Sequence, residues 1–195
     1  MAKKILILCG SPRVKGNTNT VVEWVAESAT AAGAAVKTVN VAPLKFAANG
    51  CICCMGCQKS DRYECVIKDA AQPILASMPD FNAVVFATPI YFFGPSAQLK
   101  LVLDRMYSLY KFKDGEESFG CAIRNVTLGL IATAADGPEG GLAATEDMFR
   151  AIASFNGGGF TSLLVPHAPR DPKQLVDNQA VRQQAMDFGR QLAAE

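Results

Sequence analysis

Five short apolar runs, separated by segments of helical periodicity, constrain the fold of this chain more than any other feature. The first run, Lys4 to Leu8, is almost continuously apolar, which is typical of a strand buried on both faces of a parallel sheet. Similar runs occupy residues 35–41, 82–88, 125–133 and 160–165. Because helical segments connect the runs, the sequence predicts an α/β fold with a five-stranded parallel sheet, right-handed crossovers and helices on both faces.

The predicted helices alternate with these strands. Their periodicity places them at residues 17–32, 69–78, 96–110 and 142–155, followed by a closing helix with Val181, Ala185, Phe188 and Leu192 on one stripe. A chain of 195 residues suits one α/β domain. We therefore expect a single domain over residues 1–195, interrupted by a long cysteine-rich loop at residues 44–68, and loops of that length are usually functional.

Charge and hydropathy exclude several classes of function. The net charge is +1, so nothing indicates a nucleic-acid or acidic-membrane partner. The longest apolar runs are far too short to span a bilayer, and the amino terminus has no pattern of a cleavable signal. We expect a soluble cytoplasmic protein, in which dense cysteines more often bind metal or take part in redox chemistry than form disulfides.

The loop after the first strand has the character of a phosphate site. It joins a strand to a helix, and backbone N–H groups at a helix amino terminus bind anions readily. The candidate side chains there are Ser11, Arg13, Asn17, Thr18 and Asn19, with Arg13 supplying a charged fork suited to phosphate. The simpler alternative is that Asn17 or Thr18 only caps the helix.

Three other phosphate motifs fit this loop less well. A Walker A loop needs Lys-Ser/Thr after its last glycine, but Gly16 is followed by Asn17. A dinucleotide fingerprint needs three closely spaced glycines, and this loop has only Gly10 and Gly16. A cysteine phosphatase would use Cys9 as nucleophile and an arginine to close the cradle, where this chain has Lys15.

Two further loops follow strands that end at the same edge of the predicted sheet, residues 88–96 and 132–141. Ligands of such sheets bind at the carboxyl ends of the strands. The first loop contains a proline and three aromatic residues, and the second is rich in small and turn-forming residues that allow close approach to a ligand. The alternatives are core or interface aromatics in the first loop and a plain turn in the second.

These strings together resemble a known family. Gly10-Ser11-Pro12-Arg13 and Gly16-Asn17-Thr18, then Thr88-Pro89-Ile90-Tyr91-Phe92 and Ser96-Ala97-Gln98-Leu99-Lys100, are similar to the flavodoxin-like NAD(P)H-dependent FMN reductases. The resemblance covers residues 3–135 well and the rest by fold pattern. It implies a flavodoxin-like sandwich with strand order 2-1-3-4-5. It also implies that FMN phosphate lies in the first loop and that the ring lies beside Pro89, Ile90, Tyr91 and Phe92, with Thr133, Ala134 and Gly137 at the flavin edge.

Five of the seven cysteines lie within fifteen residues. The spacing of Cys51, Cys54, Cys57 and Cys65 offers four thiolates from one loop, which suits a [4Fe–4S] cluster, and Cys53 is a spare. With this loop the resemblance is strongest to the iron–sulfur flavoproteins of the superfamily. Two alternatives stay open: a zinc site, although its cysteine pairs are usually further apart, and thiols that hold no metal.

Three functional hypotheses follow. The first is an iron–sulfur flavoprotein that relays electrons between FMN and a donor or acceptor such as a ferredoxin-like protein, NAD(P)H or a quinone. The second is an NAD(P)H-dependent FMN or quinone reductase without a cluster, and the third is a non-catalytic thiol or zinc regulatory protein. No paired-carboxylate site is evident, so we expect the redox chemistry on FMN and no catalytic side chain.

The family pattern also suggests surface and assembly features. Asp104 and Arg105 are interpreted as helix-surface or interface ion pairs. The resemblance implies a homodimer or homotetramer, with residues 107–119 and the cysteine loop as candidate contacts.

Overall fold

The central feature of the molecule is a parallel sheet. The computed structural model describes residues 2–112 and 119–194. The strands are β1 (Lys4–Cys9), β2 (Ala35–Asn40), β3 (Ala83–Tyr91), β4 (Gly94–Pro95), β5 (Tyr110–Lys111), β6 (Gly120–Cys121), β7 (Thr127–Thr133) and β8 (Phe160–Val165). Five of them form a parallel sheet in the order β2-β1-β3-β7-β8. Counted without the short strands, this is the order 2-1-3-4-5, so the flavodoxin-like fold is confirmed.

Helices cover both faces of this sheet. They are α1 (Asn17–Ala31), α2 (Ala71–Ser77), α3 (Ala97–Leu103), α4 (Leu142–Asn156), α5 (Pro172–Val176) and α6 (Gln179–Ala194). Successive side chains of β1 point to opposite faces. Ile5 and Ile7 pack with α1 and α6, while Leu6 and Leu8 pack in a second apolar layer with α2, α3 and α4. Both faces of the sheet are therefore buried, as its continuous apolar strands predict.

The helix predicted over residues 96–110 is shorter than expected. α3 ends at Leu103, and the chain continues as a 3₁₀ helix over Asp104–Leu109. Side chains three residues apart eclipse one another in a 3₁₀ helix, so Arg105 and Ser108 share one side of this segment, and both are buried. The interpretation of Arg105 as a surface residue is therefore wrong, whereas Asp104 forms a partly exposed pair with Lys100.

The sheet register brings four loops to one edge, and three of them were predicted there. Cys9 pairs with Ala87, and Pro89 pairs with Thr133, which in turn pairs with Val165. These residues stand at or near the carboxyl ends of their strands. The loops that follow β1, β3, β7 and β8 consequently leave the sheet side by side.

Two short hairpins are additions that the sequence did not predict. β3 turns back into β4 through Phe92 and Phe93, both with positive φ. β5 and β6 pair antiparallel. They flank residues 113–118, which lie outside the described residues, so the interface predicted over residues 107–119 can be placed only at its two ends.

The cysteine-rich segment is irregular, as predicted. Within residues 44–68 the structure has one short helical piece, a 3₁₀ turn over Gly56–Lys59. Among the described parts of the chain, no helix is both long and apolar enough to cross a membrane.

Candidate functional site

A cavity of about 320 Å³ opens at the carboxyl edge of the sheet. Small-molecule sites usually enclose roughly 300–1,000 Å³, so it has the size of a cofactor pocket. The cavity collects most of the predicted cofactor-binding residues. Its lining comprises Ser11, Arg13, Gly16, Asn17, Thr18, Pro89, Ile90, Tyr91, Thr133, Ala134, Ala135, Ala168, Pro169 and Arg170.

One end of the cavity is built from anion-binding groups. α1 begins at Asn17, and its cap residue Gly16 contributes no side-chain hydrogen bond, so the first N–H groups of α1 are not satisfied by a capping side chain. The Asn17 amide donates to the Pro169 carbonyl at 2.7 Å, while its buried Oδ1 has no partner among the described residues. Arg13 is exposed beside these groups. A phosphate would meet several donors and the positive end of a helix here.

Direct contacts between loops fix the shape of this edge. The Thr18 and Thr133 hydroxyls are 2.8 Å apart and buried, which ties the first loop to the end of β7. The Ser96 hydroxyl donates to the Gly10 carbonyl at 2.8 Å, and the Gly10 N–H donates to the Ala87 carbonyl at 2.8 Å. The cavity walls are therefore held by neighbouring strand ends.

Cys9 lies just below this loop and is fully buried. Burial raises the pKa of its thiol above the usual value, although a backbone hydrogen bond at Ser11 acts in the opposite direction. A neutral, inaccessible thiol is a poor nucleophile. The geometry therefore gives no support to the phosphatase alternative.

Three of the predicted cofactor residues do not line the cavity. Asn19 is buried behind the loop and donates to the Asn40 side chain at 3.3 Å. Phe92 projects into solvent at the tip of the β3–β4 hairpin, with 98% of its surface exposed. Gly137 lies in the turn after β7, beside the Glu139 carboxylate.

Sequence reasoning missed the fourth wall of the cavity, Ala168-Pro169-Arg170. This segment follows β8, and its position after the fifth apolar run was a usable signal because every strand of a parallel sheet ends at that edge. It also missed the role of Gly141. That glycine has φ of +109°, and a Cβ there would lie 2.6 Å from the Phe93 Cα, so the turn before α4 packs directly under the hairpin.

A second cavity is formed by the cysteine loop. It encloses only about 20 Å³, against about 320 Å³ in the first cavity. All five clustered cysteines line it, and the described cysteines are all free thiols. The lining is Cys51, Ile52, Cys53, Cys54, Met55, Cys57, Cys65, Val66, Ile67, Arg105, Tyr107 and Ser108. Cys57 and Cys65 are buried, whereas Cys51, Cys53 and Cys54 are exposed at its mouth.

A buried ion pair lies beside this second cavity, and its Arg105 member lines the cavity. The Arg105 guanidinium donates to the Asp69 carboxylate at 2.7 Å, to the Ile67 carbonyl at 3.0 Å and to the Cys65 sulfur at 3.4 Å. Burial acts to raise the pKa of Asp69, but the Arg105 hydrogen bond and the backbone bonds from Ala47 and Ala71 outweigh it and lower that pKa. The carboxylate therefore stays charged and anchors the guanidinium beside Cys65.

The β5–β6 hairpin holds the other side of the cysteine loop. The Lys111 ammonium donates to the backbone carbonyls of Cys57 and Ser60. The Gln58 amide donates to the Tyr110 carbonyl at 3.0 Å and accepts from the Phe112 N–H at 3.1 Å. These side chains fix the backbone on either side of the buried Cys57.

The clustered thiols do not form a preformed metal-ion site in the described part of the chain. Within residues 2–112 and 119–194, no three His, Cys, Asp or Glu side chains are placed to hold one metal ion. A zinc site would need its ligands around one centre, whereas each thiolate of a [4Fe–4S] cluster binds a different iron. Thiolates are ligands of both groups, and five cysteines line this cavity.

Comparison with known proteins identifies the family. Residues 3–163 match the family described as NADPH-dependent FMN reductase. The chain belongs to this family. The first cavity lies at the carboxyl ends of the strands, which is where sheets of this kind bind their ligands.

Curated relatives within this family include iron–sulfur flavoproteins. One from Methanocaldococcus jannaschii is 30% identical over 132 residues, which is 68% of this chain and 62% of that protein. Another, from Archaeoglobus fulgidus, is 29% identical over 103 residues, covering 53% of this chain and 45% of that protein. The matched region thus spans about half to three fifths of these relatives.

Solved structures share the fold of this family member at low identity. The NAD(P)H:quinone oxidoreductase from Methanothermobacter marburgensis has a TM-score of 0.75 at 16% identity and covers 98% of this chain and all of that one. An FMN-dependent NADH-azoreductase from Bacillus anthracis, solved with FMN, has a TM-score of 0.71 at 14% identity, with 98% and 100% coverage. These likenesses confirm the architecture.

Proposed function

We propose that this protein is an FMN-dependent oxidoreductase of the iron–sulfur flavoprotein type. FMN would occupy the cavity at the carboxyl edge, and Cys51, Cys54, Cys57 and Cys65 would bind a [4Fe–4S] cluster in the second cavity. The observation that carries the proposal is that all five clustered cysteines line one cavity with an arginine that donates to one of the sulfurs.

The chain's own residues account for the binding of FMN. Arg13, the Ser11 hydroxyl and the first N–H groups of α1 suit the phosphate, and the unpartnered Oδ1 of Asn17 offers an acceptor to the ribityl hydroxyls. Pro89, Ile90 and Tyr91 provide an apolar wall for the ring. Thr133, Ala134 and Ala135 are small enough to let backbone amides approach its polar edge.

The cysteine cavity fits a cluster chemically. Thiolates are the ligands that iron–sulfur clusters require, and a cluster at this point would supply one-electron transfer to and from the flavin. Two buried and three exposed thiols give a site that is open on one side. In a reducing cytoplasm the thiols would stay free for ligation. Cys53 is the spare thiol.

A second candidate function is an NAD(P)H-dependent FMN or quinone reductase whose cysteines bind no metal. The matched family carries that description, and the wall formed by Tyr91 is half exposed, which leaves room for a nicotinamide or a quinone against the ring. Because a nicotinamide can stack directly on a flavin, this function needs no separate nucleotide fingerprint.

The protein is further proposed to work as a homodimer or homotetramer. An apolar groove between α4 and the 3₁₀ helix Asp104–Leu109 supports this assembly, and it includes the half-exposed rings of Phe112 and Phe155. Light scattering of the wild type and of Phe155→Glu tests it. A wild-type monomer would contradict the proposal.

The experiment that separates the two functions is iron and acid-labile sulfide analysis of protein purified without oxygen. About four of each per FMN are expected for a [4Fe–4S] flavoprotein. Cys54→Ser should lose the iron and keep FMN, whereas Cys53→Ser is the matched control and should keep both. FMN without iron, together with rapid flavin bleaching by NAD(P)H, would establish the second function instead.

A further inference from the structure

Two residues that line the cysteine cavity each have a buried hydrogen-bond donor without a partner among the described residues. The donors are the Nε of Arg105 and the hydroxyl of Ser108. We propose that Arg105 and Ser108 are positioning residues that donate hydrogen bonds to the sulfur atoms of the cluster, retain it and raise its reduction potential. This inference rests on the proposed function, because it assumes that the cysteines bind a cluster.

The placement of the two residues follows from the 3₁₀ helix. They are three residues apart in the segment Asp104–Leu109, so their side chains lie in line along one side of it. Arg105 is 1% exposed and Ser108 is 2% exposed. The same segment therefore contributes two residues to the lining of one cavity, and the polar atoms of both are shielded from water.

The free-energy cost of leaving these two donors unpaired indicates that a bound group accepts hydrogen bonds from them. A buried polar group without a partner costs roughly 1–3 kcal/mol, and most such groups in proteins are paired. The cavity wall around them otherwise consists of thiols, apolar side chains and Tyr107. A ligand rich in acceptor atoms with negative charge, such as the sulfides and thiolates of a cluster, would pair with both donors.

The contact of Arg105 with Cys65 indicates how the guanidinium would change the reduction potential of the cluster. Its Nη2 lies 3.4 Å from the Cys65 sulfur while Nη1 is anchored to Asp69 at 2.7 Å. An N–H donor to a ligating sulfur stabilises the more negative, reduced cluster. Hydrogen bonds to sulfur and local charge are among the factors that set cluster potentials. The guanidinium is therefore placed to raise the potential, and Asp69 holds it in place.

The most informative variant is Ser108→Ala. If the hydroxyl serves only the cluster, its removal from the apoprotein takes away an unsatisfied buried group, so the urea midpoint should stay the same or rise. In protein reconstituted with iron and sulfide under nitrogen, the same variant should lower the midpoint potential of the cluster and lose iron several times faster in air. Arg105→Lys should shift the potential in the same direction and further.

The matched control is Lys100→Gln, which removes an exposed cation from α3, the helix directly before this segment. It should leave iron content, potential and FMN content at wild-type values. Wild-type protein that takes up no iron would overturn the cluster itself and this inference with it. Wild-type protein that holds a cluster, with unchanged potentials in Ser108→Ala and Arg105→Lys, would overturn this inference alone. A destabilised Ser108→Ala apoprotein would also contradict it, because the hydroxyl would then have a structural role.

Discussion

The two cavities of this molecule are built in opposite ways. The cavity at the carboxyl edge is formed where strands end, and its walls are held by backbone bonds and by contacts such as Thr18 to Thr133. The cysteine cavity is formed by an irregular loop, and its walls are held by the charged side chains of Asp69, Arg105 and Lys111. The first depends on backbone conformation and small residues. The second depends on a few charges.

The largest effect should follow from removing one charge of the second cavity. In Asp69→Asn the buried Arg105 loses its partner, and breaking a buried ion pair costs about 3–5 kcal/mol. Urea unfolding of the apoprotein measures this loss. Asp104→Asn is the control, because its pair with Lys100 is partly exposed and should contribute no more than about 0.5 kcal/mol. Equal losses of stability in the two variants would contradict the claim that the buried Asp69–Arg105 pair holds the cysteine cavity.

The same carboxylate predicts how stability depends on pH. Because the folded-state pKa of Asp69 is lowered, its contribution is fully present above the ordinary value of 3.8 and is lost as the pH falls through the folded value. Wild-type apoprotein should therefore lose stability faster on acidification than Asp69→Asn does. Free energies of unfolding measured between about pH 5 and pH 2 test this, and parallel profiles for the two proteins would exclude it.

At the carboxyl edge the vulnerable residue is a glycine. Gly141→Ala would place a Cβ 2.6 Å from the Phe93 Cα at a φ of +109°, so we expect a loss of about 3 kcal/mol and weaker FMN binding. Gly33→Ala is the matched control, since Gly33 also has positive φ but nothing within 4 Å of the added carbon. Gly33→Ala should cost only about 1 kcal/mol, because it adds backbone strain but no steric clash. Thermal unfolding of both variants measures the difference.

A smaller effect is expected from the exposed cation at the phosphate end. Arg13→Ala should raise the Kd of FMN roughly tenfold, because a hydrogen bond to a charged group contributes about 1.5 kcal/mol or more. Lys15→Ala, in the same loop but outside the cavity lining, should change it by less than about twofold. Flavin fluorescence titration gives both constants. If Arg13→Ala and Asn17→Ala both kept wild-type affinity, the phosphate assignment would be wrong.

The difference between the cavities also explains what the sequence could predict. Apolar runs mark strands, and strand ends mark the edge, so the loops with Ser11, Pro89 and Thr133 were placed correctly from the pattern alone. The wall at 168–170 follows by the same rule. Arg105 could not be placed, because helical periodicity continued through residue 110 would keep it on the surface. The structure pairs Arg105 with Asp69, which lies 36 residues away in the sequence, and no local pattern shows such a contact.

The smallest predicted effect is a gain in stability at the hairpin tip. The two-residue turn between Tyr91 and Gly94 has positive φ at both central residues, a geometry for which Asn-Gly is the usual sequence. Phe92 is 98% exposed, so Phe92→Asn removes little packing and relieves about 1 kcal/mol of left-handed strain. For a chain of this size the melting temperature should rise by about 2–4 °C.

Phe92→Asn also tests how far the flavin cavity extends. Phe92 does not line the cavity, so FMN affinity should stay within about twofold of the wild type while the melting temperature rises. A stable variant that binds FMN much more weakly would show that the ring folds back over the flavin. Side chains as well as backbone would then build the carboxyl-edge site, and its contrast with the cysteine cavity would be smaller than the structure suggests.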